Sequence, residues 1–375
     1  MLTSLLIPTT NSGGFLRPQL YYVSLVLSRL GLCVRHGLPL LPAVKSLSSL
    51  PEIRDSLRPN AAIWQRRTRE MAKDMEAGLR LSEAMAARMG RAVPPYVLDA
   101  VREAEKTDTL AQALPEIAVG LERARAGSLN LSVLLMPLLT LTCCLTVVNG
   151  LQTFIMPKFV VMYQSMGVGA ASQSGFSPVR VLALLQPLLL LGQCLVFLLP
   201  LVFALHAIFW RERWFYGMVE TLARPLPFVG TVLRRLAAME ACTAVSCYLA
   251  AGLDLPEACQ SAAYWIRSPW ARKRLSHMAD DVQDGIPWPD TWESQRLGTP
   301  LHDWMIRNAA AREKPAEGLD RVTEWCGLEA RSLARQFLGA AEPTILIANA
   351  VLVGLVVLCI FRPLILLTMR MATDS

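Results

Sequence analysis

Acidic and histidine side chains are the residues of this chain that could do chemistry. Paired carboxylates can bind a divalent cation or transfer protons, but on a helix followed by a turn they are more often a solvated face. The acidic run consists of Asp280, Asp281, Asp284 and Asp290. The four histidines are scattered, and the chain has no phosphate-binding Walker loop, no His-Glu-x-x-His and no Gly-x-Ser-x-Gly. We therefore expect a protein that is not an enzyme and that holds no metal or cofactor.

The composition instead indicates a membrane protein. Hydrophobic residues make up 53% of the chain and charged residues 18%, against about 25% charged residues in soluble domains. Three runs contain no Lys, Arg, Asp or Glu: 129–156, 181–210 and 344–361. A bilayer core needs about 20 apolar residues in a helix. These runs predict transmembrane helices over 129–156, 179–210 and 342–369.

Charge predicts which segments face the cytoplasm. The N-terminal segment has no basic start or long apolar stretch of the kind found in signal peptides, and Lys and Arg exceed Asp and Glu before residue 130. The connection 157–178 carries only Lys158. By the positive-inside rule, segments 1–128 and 211–341 are cytoplasmic, whereas 157–178 and the tail 370–375 lie on the opposite side. The net charge of +7 favours attraction to anionic lipid, and we expect no nucleic acid as a partner.

The two cytoplasmic segments share an internal repeat. "HGLPLLPAV" around Gly37 aligns with "AGLDLPEAC" around Gly252, and "MAKDMEAG" ending at Gly78 aligns with "MADDVQDG" ending at Gly285. Each glycine is predicted to end a helix in a left-handed conformation, which glycine adopts without a Cβ penalty. The leucines after the first glycine of each copy are expected to fold back onto the preceding helix. They are Leu38, Leu40, Leu253 and Leu255.

The predicted fold is an all-α membrane protein. It has two homologous cytoplasmic antiparallel helical bundles and three transmembrane helices, because no segment alternates apolar and polar residues as a strand would.

This layout resembles the GspF/PilC platform proteins of type II secretion and type IV pilus assembly. The Gly-x-x-Leu-x-x-Ala step appears in both repeats. "FIMPKFVVMYQSMG", which contains Pro157, resembles the stretch after the family's first span. "EPTILIANAVLVGLVVLCIFRPLI", which begins with Glu342 and Pro343, resembles its closing Glu-Pro and final span. The resemblance covers about residues 24–367.

One family motif departs from its pattern. The family has Gly-Glu-x-x-Gly-x-Leu late in each cytoplasmic domain, where the first copy reads "AEKTDTL" and keeps Glu105 and Leu110 but neither glycine. In the second copy, "AREKPAEGL", the glutamate is displaced. The chain thus resembles a divergent branch, of the type IVb or conjugative thin-pilus kind.

The resemblance implies an inner-membrane platform with a cytoplasmic N-terminus and a periplasmic loop and tail. Such a protein couples a cytoplasmic hexameric assembly ATPase to the insertion of pilin or pseudopilin subunits into a filament. The implied partners also include other inner-membrane assembly components, the lipid bilayer and a second copy of the chain, with a dimer favoured.

Polar residues within the predicted spans leave one alternative open. Asn149, Gln152 and Asn349 are candidates for contacts with pilin or with another copy, since amides hydrogen-bond between helices in lipid. Together with Gln186 and Gln193 of the second run, the same residues would line a path in an oligomeric membrane transporter or channel component, which is the alternative function.

Overall fold

The computed structural model describes residues 19–47, 61–90, 92–127 and 227–373, and scattered positions between 145 and 221. All regular secondary structure within these residues is helical. The all-α prediction is therefore confirmed for the part of the chain that the structure describes.

The first repeat contains six described helices. They are α1 (Gln19–Arg35), α2 (Leu40–Leu47), α3 (Ala61–Glu76), α4 (Leu81–Met89), α5 (Pro95–Lys106) and α6 (Leu110–Gly127). Helix α1 packs along α6, while α3 packs between α2 and α4. Trp64 of α3 is buried and stacks on Tyr22 of α1, with ring centroids 5.3 Å apart.

The second repeat reproduces this order of helices. They are α7 (Pro227–Ala250), α8 (Leu255–Trp265), α9 (Pro269–Gln283), α10 (Trp288–Ser294), α11 (Pro300–Ala310) and α12 (Pro315–Thr373). Residues 266–268 connect its second and third helices. Gly37 and Gly252 lie 215 positions apart, whereas Gly78 and Gly285 lie 207 positions apart, so the first repeat is eight residues longer between its two glycine turns.

Glycine ends the same two helices in each repeat. Gly37, Gly78, Gly252 and Gly285 have φ values of 73°, 94°, 90° and 87°. The residue after Gly252 donates its N–H to Tyr248 C=O at 3.2 Å, and Gly252 N–H donates to Leu249 C=O at 3.0 Å. The other three turns bond in the same way, which is the pattern of a Schellman cap.

Three of the four leucines, Leu40, Leu253 and Leu255, pack against the hydrophobic core. Their contact with the preceding helix stays a prediction. Leu38 does not pack against this core, and it is 56% exposed, because no described element covers the turn at Gly37. A Cβ added at Gly37 would meet nothing within 4 Å.

The chain divides into two compact units. One unit comprises Met1–Asn130 and Arg211–Ala334, and therefore holds both repeats. The other comprises Leu131–Trp210 and Arg335–Ser375. Helix α12 continues through Glu342 and Pro343, where the sequence predicted the start of a span.

The predicted spans stay a prediction. Spans 129–156 and 179–210 lie almost wholly outside the described residues. When the described residues alone are searched, none of their helices has the combination of length and hydropathy needed to cross a membrane.

Candidate functional site: the contact between the two repeats

The two repeats contact each other through α5 and α6 of the first and α7 and α8 of the second. Asp99 of α5 lies at the centre of this contact. Its Oδ2 accepts hydrogen bonds from the Tyr248 hydroxyl at 2.8 Å and from Trp265 Nε1 at 2.9 Å. Tyr248 is fully buried, and burial, followed by the charge of Asp99, raises its pKa well above the usual value. Tyr248 therefore stays a neutral donor, and the Asp99 carboxylate joins two helices of the other repeat.

The glycine turn of the second repeat docks on the first. The hydroxyls of Thr107 and Thr109 each donate to the backbone carbonyl of Ala251 at 3.0 Å. A Cβ built on Gly252 would lie 3.5 Å from the Thr109 side chain. Carbonyls at a helix C-terminus have no partner within the helix, so the first repeat caps the end of α7.

A second carboxylate links α12 back to the first repeat. Asp320 forms an ion pair with Arg123 of α6 and accepts a hydrogen bond from the Ser246 hydroxyl at 2.7 Å. Glu116 lies near this pair, and burial followed by the charge of Asp320 raises its pKa. These contacts fix α6, α7 and α12 together. With Asp99 and the threonine cap on Ala251, they join the repeats at three points.

Glu105 has a structural role within the first repeat. Its carboxylate accepts from the backbone N–H of Ser82 at 3.3 Å and from the Ser82 hydroxyl. Ser82 is the second residue of α4, where the backbone N–H has no partner within the helix, so Glu105 caps α4 from α5.

This cap is absent from the second repeat, because both of its partners differ. Ala310 occupies the position of Glu105, counted from Pro95 and Pro300, the first residues of α5 and α11. Pro289 occupies the position of Ser82 in α10, and proline has no N–H to donate.

The non-glycine residues in the motif turns are held in the left-handed region. Asp108 stands where the family has its second glycine and has φ 56°, and Glu313, at the equivalent turn, has φ 58°. The displaced glutamate of the second repeat therefore occupies the glycine position.

A buried histidine lies in the second repeat. His302 is fully buried; its Nδ1 accepts from the Thr299 N–H at 3.1 Å, and Glu329 Oε1 lies 3.6 Å from its Nε2. Burial, and secondarily the charge of Arg235, lowers the pKa of His302 to about 4. Arg235 pairs with Glu329 at 2.9 Å, so Glu329 does not keep the ring protonated, and His302 is neutral at physiological pH.

The structure brings together only some of the residues singled out in the sequence. Gly252 lies beside the motif turn that follows Glu105, whereas Gly37, Gly78 and Gly285 lie away from the contact between the repeats. Asn149 is buried, Gln152 lies outside the described residues, and Asn349 lies in α12. Pro157 is exposed.

Sequence reasoning missed the residues that join the repeats: Asp99, Thr107, Thr109, Tyr248, Trp265, Arg123 and Asp320. The available signal was the pair of threonines flanking Asp108 inside a family motif.

The two repeats are thus joined by partly buried carboxylates, and the second repeat also matches a known protein family. Residues 241–363 match the family model described as "Type II secretion system (T2SS), protein F". The match spans most of the second repeat and the whole of the apolar run 344–361. The resemblance to GspF/PilC-type platform proteins is thereby confirmed.

A curated relative extends the similarity over most of the chain. It is the "Protein transport protein HofC homolog" of Escherichia coli (strain K12), which is 22% identical over 310 residues. The aligned region covers 80% of this chain and 74% of the relative.

Proposed function

We propose that this chain is the inner-membrane platform of a type II secretion or type IV pilus assembly machine. The observation that carries the proposal is the match of residues 241–363 to protein F of the type II secretion system. The similarity to a relative named for protein transport supports it. In this role the chain is anchored by the three apolar runs as transmembrane helices in the bacterial inner membrane, with both repeats in the cytoplasm.

The contacts between the repeats suit a coupling element. Asp99 and Asp320 each tie the first repeat to the second through side chains on different helices. A force applied to either repeat is then shared by both, since separating them breaks charge-assisted hydrogen bonds in a partly buried contact. The platform supplies no catalysis, and it transmits the motion of a cytoplasmic hexameric ATPase to pilin or pseudopilin subunits.

Binding of the ATPase tests this function. The full-length chain in lipid nanodiscs is immobilised and mixed with the assembly ATPase of the same system, with an ATP analogue, with ADP or without nucleotide. Retention that depends on the nucleotide is expected, because coupling requires different affinity for the ATPase states. A variant of the ATPase that cannot bind nucleotide serves as the control. Failure to bind in every state, together with solute flux in vesicles, would favour the transporter alternative instead.

Labelling from one side of the membrane tests the topology. In a background without other reactive cysteines, Ser174→Cys in the predicted periplasmic loop should react with an impermeant maleimide applied to whole cells. Lys73→Cys, on the exposed side of α3, should react only after the cells are opened. The reverse pattern would overturn the proposed orientation.

A further inference from the structure

The two repeats share a register, so each position in one has a counterpart in the other. Asp108 and Glu313 have the same left-handed conformation between the fifth and sixth helices, which sets an offset of 205 residues there. Gly37 and Gly252 set an offset of 215 residues for the first two helices. Burial agrees with this register: Leu114 and Leu319 are both buried, as are Leu30 and Val245.

Within the chain, one face of the first repeat is covered by a face of the second. The receiving face lies on α5 and α6 and contains Asp99, Thr107 and Arg123; the docking face lies around the α7–α8 turn and on α12 and contains Tyr248 and Asp320. The docking-face residues just before the glycine turn are fully buried: Cys247, Tyr248 and Ala251.

The counterparts of both faces are left uncovered by the part of the chain that the structure describes. On the second repeat, the receiving face carries Trp304 at 60% exposure and Leu328 at 43%. On the first repeat, the docking face carries Leu32 at 45% and Leu38 at 56%. Leu32 is the counterpart of the buried Cys247. The two residues have the same position in their bundles, so they differ in exposure because the first repeat covers Cys247 and no described element covers Leu32.

The two uncovered faces have changed in a matched way. Asp99, which binds Tyr248, has Trp304 as its counterpart, while Tyr248 has Cys33. The pair equivalent to Asp99 and Tyr248 is thus Trp304 and Cys33, which are an aromatic ring and a small apolar side chain. The polar pair within the chain corresponds to an apolar pair at the equivalent positions.

The ion pair has changed in the same way. The counterpart of Arg123 is Leu328, and the counterpart of Asp320 is Pro115 of α6, which is partly exposed. If only one partner had changed, the faces would no longer fit. Because both counterparts are apolar, they remain complementary to each other.

The donors to the helix end are also retained. Thr107 and Thr109, which cap α7, have Arg312 and Lys314 as counterparts, and both of these are exposed. Cations stabilise a helix C-terminus, and the corresponding helix end is that of α1 at His36, next to Gly37. The counterpart face therefore still offers donors to the carbonyls that a docked glycine turn would present.

We propose that the α11–α12 face of one chain, centred on Trp304 and Leu328, binds the α1–α2 turn and α6 of a second copy of this chain, at Cys33, Leu38 and Pro115. The contact repeats between chains the one that joins the two repeats within a chain. Each chain carries both faces, so the association is head-to-tail and forms a ring or a short row according to the rotation between copies. This interface does not depend on the ATPase coupling proposed above.

Cross-linking between copies tests the proposal directly. Trp304→Cys places a thiol opposite the native Cys33 of the neighbouring copy, and a short bis-maleimide should join the two in the full-length protein in nanodiscs or native membranes. Peptide mapping by mass spectrometry should identify the link between Cys33 and position 304, and Cys33→Ser in the same background should abolish it.

Ile286→Cys is the matched control for the cross-link. Ile286 is 45% exposed, and its counterpart Leu79 stays 42% exposed within the chain, so this turn lies outside the covered contact. A link from position 286 to Cys33 as strong as that from position 304 would overturn the assignment.

A charge exchange tests the head-to-tail geometry. Leu328→Arg alone and Pro115→Asp alone should each weaken self-association by about tenfold or more, measured by mass photometry, because each places one charge against an apolar partner. Mixing the two variants, or combining them in one chain, restores the Arg–Asp pair found within the chain and should restore association. Ile286→Arg should leave association unchanged.

Loss of association in both single variants without rescue in the mixture would contradict the pairing of these faces. A monomeric wild-type protein, with no link between Cys33 and position 304 in the Trp304→Cys variant, would overturn the proposal and would leave the platform function untouched.

Discussion

Asp99 accepts hydrogen bonds from the Tyr248 hydroxyl across 149 residues of sequence, and Trp265 donates to the same oxygen. One carboxylate therefore holds two donors of the opposite repeat.

Replacing Asp99 should weaken the contact between the repeats. In Asp99→Ala, the Tyr248 hydroxyl and the Trp265 N–H lose their acceptor, which costs about 2–4 kcal/mol of unfolding free energy because both donors lie in a packed contact. Asp99→Asn keeps a neutral acceptor and should cost less than half of that. Thermal unfolding in detergent measures both. Equal stability of Asp99→Ala and wild type would mean that the contact does not hold the repeats together.

The glycine turns should be intolerant of branched residues. Gly252→Val combines a positive φ with a Cβ next to Thr109, and it should destabilise the fold by about 2 kcal/mol or more and prevent filament assembly or secretion. Gly37→Val meets no neighbour and should cost about 1–2 kcal/mol from strain alone. Gly120→Ala is the control, because this glycine lies within α6 with free space around it; it should be neutral or slightly stabilising. Normal accumulation and full function of either valine variant would show that the turn conformation is not required.

The Glu105 cap should be specific to the first repeat. Glu105→Ala leaves the buried N–H of Ser82 without an acceptor and should cost about 1–2 kcal/mol. The matched change Ala310→Glu should give no gain, since Pro289 has no N–H. Hydrogen exchange of α4 reads out the first effect: its amides should exchange faster in Glu105→Ala. Unchanged exchange would rule out the cap.

His302 should make the protein less stable in acid. Its folded pKa is about 4 against an ordinary value of 6.5, so the unfolded chain takes up a proton in a pH range where the folded chain does not. The free energy of unfolding therefore falls as the pH drops from 7 towards 4, by about 2 kcal/mol at pH 5 from this group. His302→Asn retains an oxygen that can accept from the Thr299 N–H and does not titrate, so its melting temperature should fall less between pH 7 and pH 5.

The exposed His277 supplies the control for this measurement. His277→Asn should leave the pH dependence of the melting temperature as in wild type. A His302→Asn profile that coincides with wild type would mean that this ring does not set the acid response.

The sequence predicted the features that depend only on neighbouring residues, such as the ends of helices. Gly37 and Gly252 follow apolar helices and precede a leucine, which is a sufficient signal for a helix end. The contact between the repeats could not be predicted in this way. Nothing near Asp99 in the sequence distinguishes a carboxylate that meets a tyrosine from one that meets water, and Tyr248 reads as an ordinary core residue.

The exposure of Leu38 was missed for a related reason. The pattern around Gly37 is similar to the pattern around Gly252, and the difference in exposure arises from which other element lies against the turn. Sequence periodicity reports the face that a helix buries within its own bundle, but it does not report which bundle then covers the remaining face.

The paired differences between the repeats have an evolutionary consequence. After a duplication the two halves begin as equals, and either could stand in the place of the other. Asp99 and Arg123 now serve one half, and Trp304 and Leu328 serve the other. The two halves can therefore no longer replace each other. A chain built from two first repeats would present two polar receiving faces, and neither would meet the tyrosine and aspartate that the second repeat supplies. Divergence has turned a symmetric pair into an ordered one with two distinct ends.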